Sequence, residues 1–308
     1  MTCLTVTEIN RRAQHDPAAF VQQCEAEYRA KIDDAARRVL ALASERPIVL
    51  LSGPSGSGKT TSALLVERWL DRSGHQTLTL SLDNYFLSHS AGPLPLDENG
   101  NVDLESPARL DSVLLEQQLS DIFAGRPIDM PVFDFAQQER SGTQPLTRHE
   151  GELVIAEGIH ALNSAVVGHS IDFSTGMYVS VRTRVMLGGE ELHPSRIRLM
   201  RRLLRDKLFR GRAFDQTLSI FPSVTRGEDL YIMPHKHRAS IELDTFIPYE
   251  LCVYRDLLLD GLTPDGGPYN ELKHELTRFL SGLAPIDASL VPPDSLVREF
   301  IGGSVLGV

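Results

Sequence analysis

The sequence predicts an α/β fold with three layers, in which a mostly parallel central sheet lies between helices. Two observations support this prediction. The apolar run at residues 47–51 leads directly into Gly53-Pro-Ser-Gly-Ser-Gly-Lys-Thr60, the complete Gly-x-x-x-x-Gly-Lys-Thr phosphate-binding pattern in its strand–loop–helix setting. From residue 48 onward, segments typical of strands alternate with segments typical of helices, which is the order that builds parallel sheets. We therefore predict a P-loop NTPase fold, with ligands at the carboxyl ends of the strands.

The loop at residues 53–60 has the residues that phosphate binding requires. Its glycines allow the backbone N–H groups to approach phosphate oxygens closely, and the following helix adds the partial positive charge of its N-terminus. Lys59 can reach the β- and γ-phosphates, and the Thr60 hydroxyl can bind Mg²⁺. A chance glycine-rich turn is the alternative, which the strand–loop–helix order disfavours. The predicted nucleotide-binding set is Gly53, Pro54, Ser55, Gly56, Ser57, Gly58, Lys59, Thr60 and Thr61.

The composition excludes several classes of protein. With 308 residues, of which 42% are apolar, the chain can form one large α/β domain or two small ones. Its 31 basic and 41 acidic side chains give a net charge of −10, so we expect no general nucleic-acid-binding surface. We expect no signal peptide and no membrane span. Cys3, Cys24 and Cys252 form no Cys-x-x-Cys pair, and we interpret them as reduced thiols of a cytoplasmic protein.

The chain is predicted to have a helical N-terminal arm, residues 1–45, and a nucleotide-binding domain, residues 46–308. Apolar residues with helical spacing from Ile32 to Leu40 indicate that the arm packs on the core or on a second subunit, so a homo-oligomer is one of two interpretations. The predicted strands are 48–52, 77–82, 131–135, 153–156, 177–181 and 241–247. The predicted helices are 60–72, 110–124, 196–209 and 271–280, with irregular loops at 92–107 and 136–150 and a C-terminal tail at 268–308.

Two acidic residues follow predicted strands. Asp83 lies at the end of the second strand of the domain, where a carboxylate can accept the proton of a substrate hydroxyl and contact Mg²⁺ through water. A solvated residue of a turn is the alternative interpretation of Asp83. Glu157 ends the apolar strand 153–156, which is the general position of a second Mg²⁺-associated carboxylate. His160 follows shortly after, and we assign it no role, because a lone histidine is more often structural.

A strongly basic helix supplies the third part of the predicted site. Arg198, Arg202 and Arg205 are spaced to lie on one helical face, and Arg210 and Arg212 flank a glycine that can act as a hinge. Guanidinium groups on a mobile lid, at about residues 194–227, would neutralise a transferring phosphoryl group and exclude water. The alternative is a solvated charged face. A GTPase would need Asn-Lys-x-Asp and a transporter subunit Leu-Ser-Gly-Gly-Gln, and the sequence contains neither.

With these motifs, the sequence resembles the uridine kinase-type nucleoside kinases of the phosphoribulokinase and uridine kinase group. It is closest to a bacterial subgroup whose members often carry threonyl-tRNA-synthetase-like N-terminal domains, which this sequence does not contain. The matching segments are 81–86, 97–106, 131–135, 157–160, 201–206, 221–228 and 292–304.

The resemblance implies a P-loop kinase domain with a role for each matching residue. Asp83 matches the base toward the nucleoside 5′-hydroxyl, and Asp103 matches an acid that binds ribose hydroxyls. The implied catalytic residues are Asp83, Lys59, Arg205 and Arg210, the two arginines acting on phosphates. The implied metal-binding residues are Thr60, Asp83 and Glu157. The implied substrate-binding residues are Asp83, Tyr85, Asp103, Phe133, Phe135, Gln138, Arg202 and Arg212.

The sequence departs from the family pattern where the base is read. Typical uridine-cytidine kinases have a tyrosine and a histidine at the positions of Phe133 and Gln138. Phe133 can stack on a base but cannot hydrogen-bond to it, and Gln138 presents different donors and acceptors from histidine. The loss of a polar reader can change selectivity by large factors. The sequence therefore supports the phosphate and ribose positions better than the identity of the base.

The leading hypothesis is a kinase that uses ATP, or another nucleoside triphosphate, and Mg²⁺ to phosphorylate the 5′-hydroxyl of a ribonucleoside, with uridine or cytidine as the first guess. A second hypothesis is a kinase of the same superfamily acting on a modified nucleoside, a sugar phosphate or a pantothenate-like substrate. A third is a nucleotide-binding regulatory protein with little transfer activity. Asp83, Glu157 and the arginines argue against the third, because binding alone does not need them.

Overall fold

The computed structural model describes residues 3–307. The strands are β1 (Cys3–Thr5), β2 (Ile48–Ser52), β3 (Thr77–Ser81), β4 (Ile128–Asp134), β5 (Glu139–Leu146), β6 (Leu153–Glu157), β7 (Ser174–Ser180), β8 (Arg184–Leu187), β9 (Glu190–Leu192) and β10 (Ile241–Asp244). The helices are α1 (Val6–His15), α2 (Pro17–Leu40), α3 (Lys59–Arg72), α4 (Ser112–Phe123), α5 (Ser164–Val167), α6 (Pro194–Arg210), α7 (Phe214–Gly227), α8 (Glu250–Leu259), α9 (Asn270–Ser281) and α10 (Arg298–Ile301). Short 3₁₀ and π turns join several of these elements.

A parallel sheet of five strands, in the order β10–β7–β2–β6–β3, forms the centre of the fold. Alternate residues of β2 point to opposite faces, because side chains alternate along a strand. Ile48 and Leu50 pack in one hydrophobic cluster with α4 and α5. Val49 and Leu51 pack in the other, with α2, α3, α6 and α8. The three-layer α/β prediction is confirmed.

The N-terminal arm packs on the core of its own chain. Ile32, Ala36 and Val39 of α2 are buried in the same hydrophobic cluster as Val49 and Leu51 of β2. Lys31 and Arg38 donate hydrogen bonds to the backbone carbonyls of Asp244 and Ser240, at and beside the edge strand β10. The arm therefore covers an open edge that would otherwise expose unpaired backbone groups.

Two hairpins were absent from the sequence prediction. Strand β5 lies within the stretch 136–150, which was expected to be irregular, and pairs with β4 in an antiparallel hairpin. Its residues are polar and mostly exposed, so no hydrophobic alternation marks it as a strand. A second small sheet forms from β8, which pairs with β9 and with β1. These strands have only three or four residues, too few to show a period.

In the part of the chain that the structure describes, no helix combines the length and the apolar character that crossing a membrane requires.

Candidate active site

The phosphate loop leaves the middle strand, β2, and packs against neighbouring backbone so closely that only glycine fits. A Cβ on Gly53 would lie 2.0 Å from the carbonyl oxygen of Val179, and one on Gly56 would lie 2.8 Å from that of Arg198. Gly56 and Gly58 also have positive φ angles, +76° and +80°, which other residues rarely adopt. The glycines of the motif are thus required by the packing as well as by the turn. Thr60 is exposed on the first turn of α3.

Two carboxylates lie at the carboxyl ends of neighbouring strands. Ser81 of β3 and Glu157 of β6 are register partners, and the Ser81 hydroxyl donates a 3.1 Å hydrogen bond to the Glu157 carboxylate. The Asp83 N–H donates to the same hydroxyl at 3.4 Å. Lys59 donates to the carbonyl of Pro54 at 3.3 Å, which places its ammonium group along the phosphate loop. The charges of Glu157 and Asp83 act on Lys59, so the structure brings these three side chains close together.

Burial shifts the proton affinity of all three groups. It lowers the pKa of Lys59, whereas the charges of Glu157 and Asp83 oppose that change. It raises the pKa of Asp83, against the opposing charges of Lys59, Arg109 and Arg210. It also raises the pKa of Glu157, which Asp83 raises further by like-charge repulsion. The acids are therefore stronger proton acceptors than exposed carboxylates.

The oxygen donors at this centre suit Mg²⁺. Magnesium prefers oxygen ligands and is commonly held by one or two carboxylates together with the phosphates of the nucleotide. Asp83 and Glu157 are two such carboxylates whose repulsion a cation would relieve, and the Thr60 hydroxyl is exposed on the first turn of α3. Among residues 3–307 no group of three or more His, Cys, Asp or Glu side chains forms an all-protein metal cage. The residues present fit a metal that is bound jointly with a nucleotide.

Three arginines of α6 converge on Ser55 of the phosphate loop. Arg198 donates to its carbonyl oxygen at 3.1 Å, and Arg202 donates to its hydroxyl at 2.7 Å. Arg205 reaches the same hydroxyl at 3.5 Å. The predicted common face of the helix therefore lies directly over the nucleotide-binding loop. Burial lowers the pKa of Arg202, which the neighbouring positive charge of Arg205 lowers further.

The packing of α6 bears on the predicted lid, whose mobility stays a prediction. Leu199, Met200 and Leu203 are fully buried in the core, so one face of the helix is anchored there. Leu208 and Phe209, near its C-terminal end, are 52% and 55% exposed. The charges of α6 suggest a lid, whereas the apolar face of the same helix packs in the core.

The buried carboxylate of Asp206 lies among three arginines, Arg202, Arg210 and Arg212. It accepts a hydrogen bond from Arg210 at 3.1 Å and lies 3.5 Å from both Arg202 and Arg212. The Thr217 hydroxyl completes its surroundings at 3.2 Å. Arg210 also stabilises the charge of Asp83, whereas Arg212 makes its contact with Asp206 on the outer side, where it is 39% exposed.

Glu105, two residues after the predicted Asp103, is an acid of the site for which the sequence alone predicted no role. Asp103 is buried, and one of its oxygens accepts hydrogen bonds from Arg226 at 3.2 and 3.3 Å and from the Tyr231 hydroxyl at 2.8 Å. Glu105 instead faces Arg202, Lys59 and the other acids, and burial raises its pKa. The only signal in the sequence was its place two residues after Asp103 within a matching segment. Glu105 therefore lies among the charges of Lys59, Asp83 and Arg202.

Tyr85 does not belong to the substrate-binding set. Its ring is fully buried in the core, and its hydroxyl donates a 2.6 Å hydrogen bond to Gln118 of α4. Tyr85 lies in a matching segment, but its side chain belongs to the hydrophobic cluster that contains α4.

The residues expected at the base form an aromatic group with limited polarity. Phe133 packs against Phe86 and Phe135 at ring-centroid distances of 5.7 and 5.1 Å. Phe133 is buried, whereas Phe135 is 54% exposed. The Gln138 side chain donates to the Phe135 carbonyl at 2.7 Å and accepts from Arg109 at 3.5 Å, so its amide already has partners. Arg109, which the sequence reasoning missed, also lies over the Phe86 ring at 4.7 Å.

This chain is similar to proteins of a known family. A model of the phosphoribulokinase/uridine kinase family matches residues 48–248. A uridine kinase of Staphylococcus aureus (strain JH9) is 30% identical over 195 residues, which are 63% of this chain and 85% of the relative.

Two solved structures share the fold. One, described as a possible uridine kinase from Bacillus stearothermophilus, has a TM-score of 0.50 at 17% identity and covers 71% of this chain and 100% of its own. The other, described as a candidate fructose transport system kinase from Silicibacter sp., has a TM-score of 0.50 at 18% identity and covers 69% of this chain and 97% of its own.

His160, given no role from the sequence, leads to a prediction about pH. Its Nε2 lies 2.9 Å from the Glu105 carbonyl, and burial lowers its pKa to about 4, so it is neutral at pH 7. The unfolded chain takes up this proton near pH 6.5 and the folded chain only near pH 4, so folding stability is lost as pH falls between them. The loss attributable to His160 approaches about 3 kcal/mol.

The variant His160→Gln, whose amide can still donate to the Glu105 carbonyl, should show a smaller loss of unfolding free energy than the native protein over this pH range. Urea unfolding at pH 7.0, 6.0 and 5.0 measures the difference. The control His169→Gln, at a side chain that is 95% exposed, should follow the native protein. Identical pH dependence of native protein and His160→Gln would show that the histidine is not held neutral by the fold.

Proposed function

The chain belongs to the phosphoribulokinase/uridine kinase family, and we propose that it transfers the γ-phosphate of ATP to the 5′-hydroxyl of a ribonucleoside, with uridine or cytidine as the first acceptors to test. The observation that supports this most is the placement of Asp83 and Glu157 with Lys59 at the carboxyl ends of adjacent strands. A protein that only binds nucleotides has no need of a partly buried proton acceptor beside its phosphate loop.

Asp83 acts as the general base in this proposal. The acceptor hydroxyl oxygen forms a bond to the γ-phosphorus, the bond from that phosphorus to the β–γ bridging oxygen breaks, and ADP leaves with the electron pair. The hydroxyl proton passes to the Asp83 carboxylate, whose pKa burial has raised. A general base contributes about 10²- to 10⁴-fold to the rate when its pKa is raised toward the working pH.

The positive groups stabilise the charge that spreads over the transferring phosphoryl oxygens. Lys59 lies along the phosphate loop, and Arg205 and Arg210 approach from α6. Because Lys59 and Arg205 are already held at the loop by the fold, they need little reorganisation during the reaction. When bound, Mg²⁺ neutralises the nucleotide phosphates and aligns them, and Thr60, Asp83 and Glu157 are the residues that would hold it.

On the acceptor side, Arg202, Glu105 and the pair formed by Asp103 and Arg226 supply the polar groups for ribose hydroxyls. The exposed Phe135 ring, packed against Phe86 and the buried Phe133, offers an apolar face on which a base can stack without hydrogen bonds.

A second acceptor class is supported by the same aromatic group. Because Phe133 carries no polar atom and the Gln138 amide already has two partners, the site has little to distinguish a pyrimidine edge. A modified nucleoside, a sugar phosphate or a pantothenate-like alcohol would meet the same phosphate-transfer centre.

We also propose that the protein is located in the cytoplasm, because Cys3, Cys24 and Cys252 are all free thiols.

Replacing Asp83 tests the transfer step. Asp83→Asn should lower turnover by about 10²- to 10⁴-fold, because the amide cannot accept the hydroxyl proton. ATP affinity, measured by calorimetry, should change little. Asp34→Asn, at an exposed position of α2, is the control and should keep native turnover. Near-native turnover of Asp83→Asn would remove Asp83 from the mechanism.

An acceptor panel tests the substrate. The native protein is incubated with ATP, Mg²⁺ and single acceptors, namely the common ribonucleosides, their deoxy forms, sugar phosphates and pantothenate, and products are identified by mass spectrometry. We expect a nucleoside 5′-monophosphate as the main product. Faster phosphorylation of a non-nucleoside would establish the second acceptor class, and tight ATP binding with no product from any acceptor would support a regulatory protein instead.

A further inference from the structure

The C-terminal segment 291–301 returns to the phosphate loop, although the family match ends at residue 248. Leu296 packs on the loop so closely that a Cβ on Gly58 would lie 2.6 Å from its Cδ1. Phe300 lies against the guanidinium of Arg201 at 5.0 Å. Both side chains are fully buried, so this segment is a fixed wall of the phosphate site.

Glu299 is the buried acid of this wall. It is only 7% exposed, and a buried carboxylate is costly unless it is partnered. Its Oε2 accepts a 2.6 Å hydrogen bond from the Thr61 hydroxyl on the first turn of α3. Its Oε1 lies 3.8 Å from Nη1 of Arg205. Glu299 therefore links the helix that follows the phosphate loop to an arginine of α6.

Arg205 lies between Glu299 and the loop. Its Nη2 reaches the Ser55 hydroxyl at 3.5 Å, and Arg202 donates to the same oxygen at 2.7 Å. The positive charges of Arg205, Arg202 and Arg210 repel one another. Burial is the largest cause of the lowered pKa of Arg202 and of Arg210, and the charge of Arg205 lowers both further. Without an anion on its other side, Arg205 would be pushed away from the loop.

We propose that Glu299 is a positioning residue for phosphoryl transfer, whose carboxylate holds the Arg205 guanidinium over the phosphate loop where the transferring group passes. The inference rests on the proposed kinase function but not on the identity of the acceptor. A guanidinium fixed in advance stabilises the transition state without reorganisation, so the effect falls on kcat more than on ATP binding.

The variant Glu299→Gln tests this, because it keeps the shape and an oxygen for Thr61 while removing the charge that faces Arg205. We expect kcat to fall by about 10- to 100-fold, the cost of a small misplacement at a reacting centre. The KM for ATP should change by less than about threefold, because the replacement removes an interaction of the transition state and leaves the binding of ATP in the ground state largely unchanged. In an Arg205→Ala background the same replacement should have no further effect, because residues that act together are not additive.

The matched control is Glu25→Gln. Glu25 is also a buried carboxylate, and it holds the same segment by accepting a 2.6 Å hydrogen bond from Ser295, but its hydrogen bonds come from Ser295 and Tyr249 and not from the phosphate loop. This variant should lower the melting temperature and leave kcat unchanged.

Glu299→Asp provides a second variant if Glu299→Gln does not fold. It keeps the charge but withdraws it by one methylene, so kcat should be intermediate. All comparisons use the acceptor that gives the native protein its highest turnover, so failure of the nucleoside assignment changes only the acceptor. A native kcat in Glu299→Gln, or in Glu299→Asp where the first variant is insoluble, would overturn the inference. So would a kcat loss that persists in full without Arg205.

Discussion

The phosphate site depends on one buried cation. Arg201 of α6 is fully buried, and all five of its N–H groups have acceptors: two bonds go to Glu250 at 2.7 and 2.9 Å, two to Thr245 at 2.7 and 3.2 Å, and one to the Gly56 carbonyl at 3.2 Å. Burial alone would lower the pKa of Arg201, but the Glu250 carboxylate outweighs it and raises that pKa above its ordinary value. Thr245 in turn donates to the Ser57 carbonyl at 2.7 Å. Removing one partner of such a pair leaves an uncompensated buried charge, so the phosphate loop, α6 and α8 hold one another in place.

This framework allows a dense set of charges to share a small volume. Lys59 and several arginines face Asp83, Glu105, Glu157 and Glu299, and each group shifts the proton affinity of its neighbours. Burial penalises every one of these charges, and their opposite signs offset the penalty. In the proposed reaction the nucleotide phosphates would face the positive groups, and the metal would face the acids.

The sequence predicted the parts of this site that are local in the chain. The phosphate loop, Asp83 and Glu157 each follow a recognisable apolar strand, and parallel strands bring their carboxyl ends to one edge. Arg201 and Glu299 could not be predicted, because their roles come from partners 49 and 238 residues away. The same holds for α6, whose charges suggested a lid while its apolar face packs in the core. Tyr85 shows the converse, since a matching segment also contains residues whose function is only to pack.

The central claim is that Asp83 takes a proton while the phosphoryl group passes directly from ATP to the acceptor hydroxyl. The stereochemical course at phosphorus tests it most directly. ATP made chiral at the γ-phosphorus with oxygen isotopes is turned over with the best acceptor, and the configuration of the product phosphate is determined. A single in-line displacement predicts inversion of configuration. Retention would mean that a residue of the protein carries the phosphoryl group in between, and would contradict the role given to Asp83.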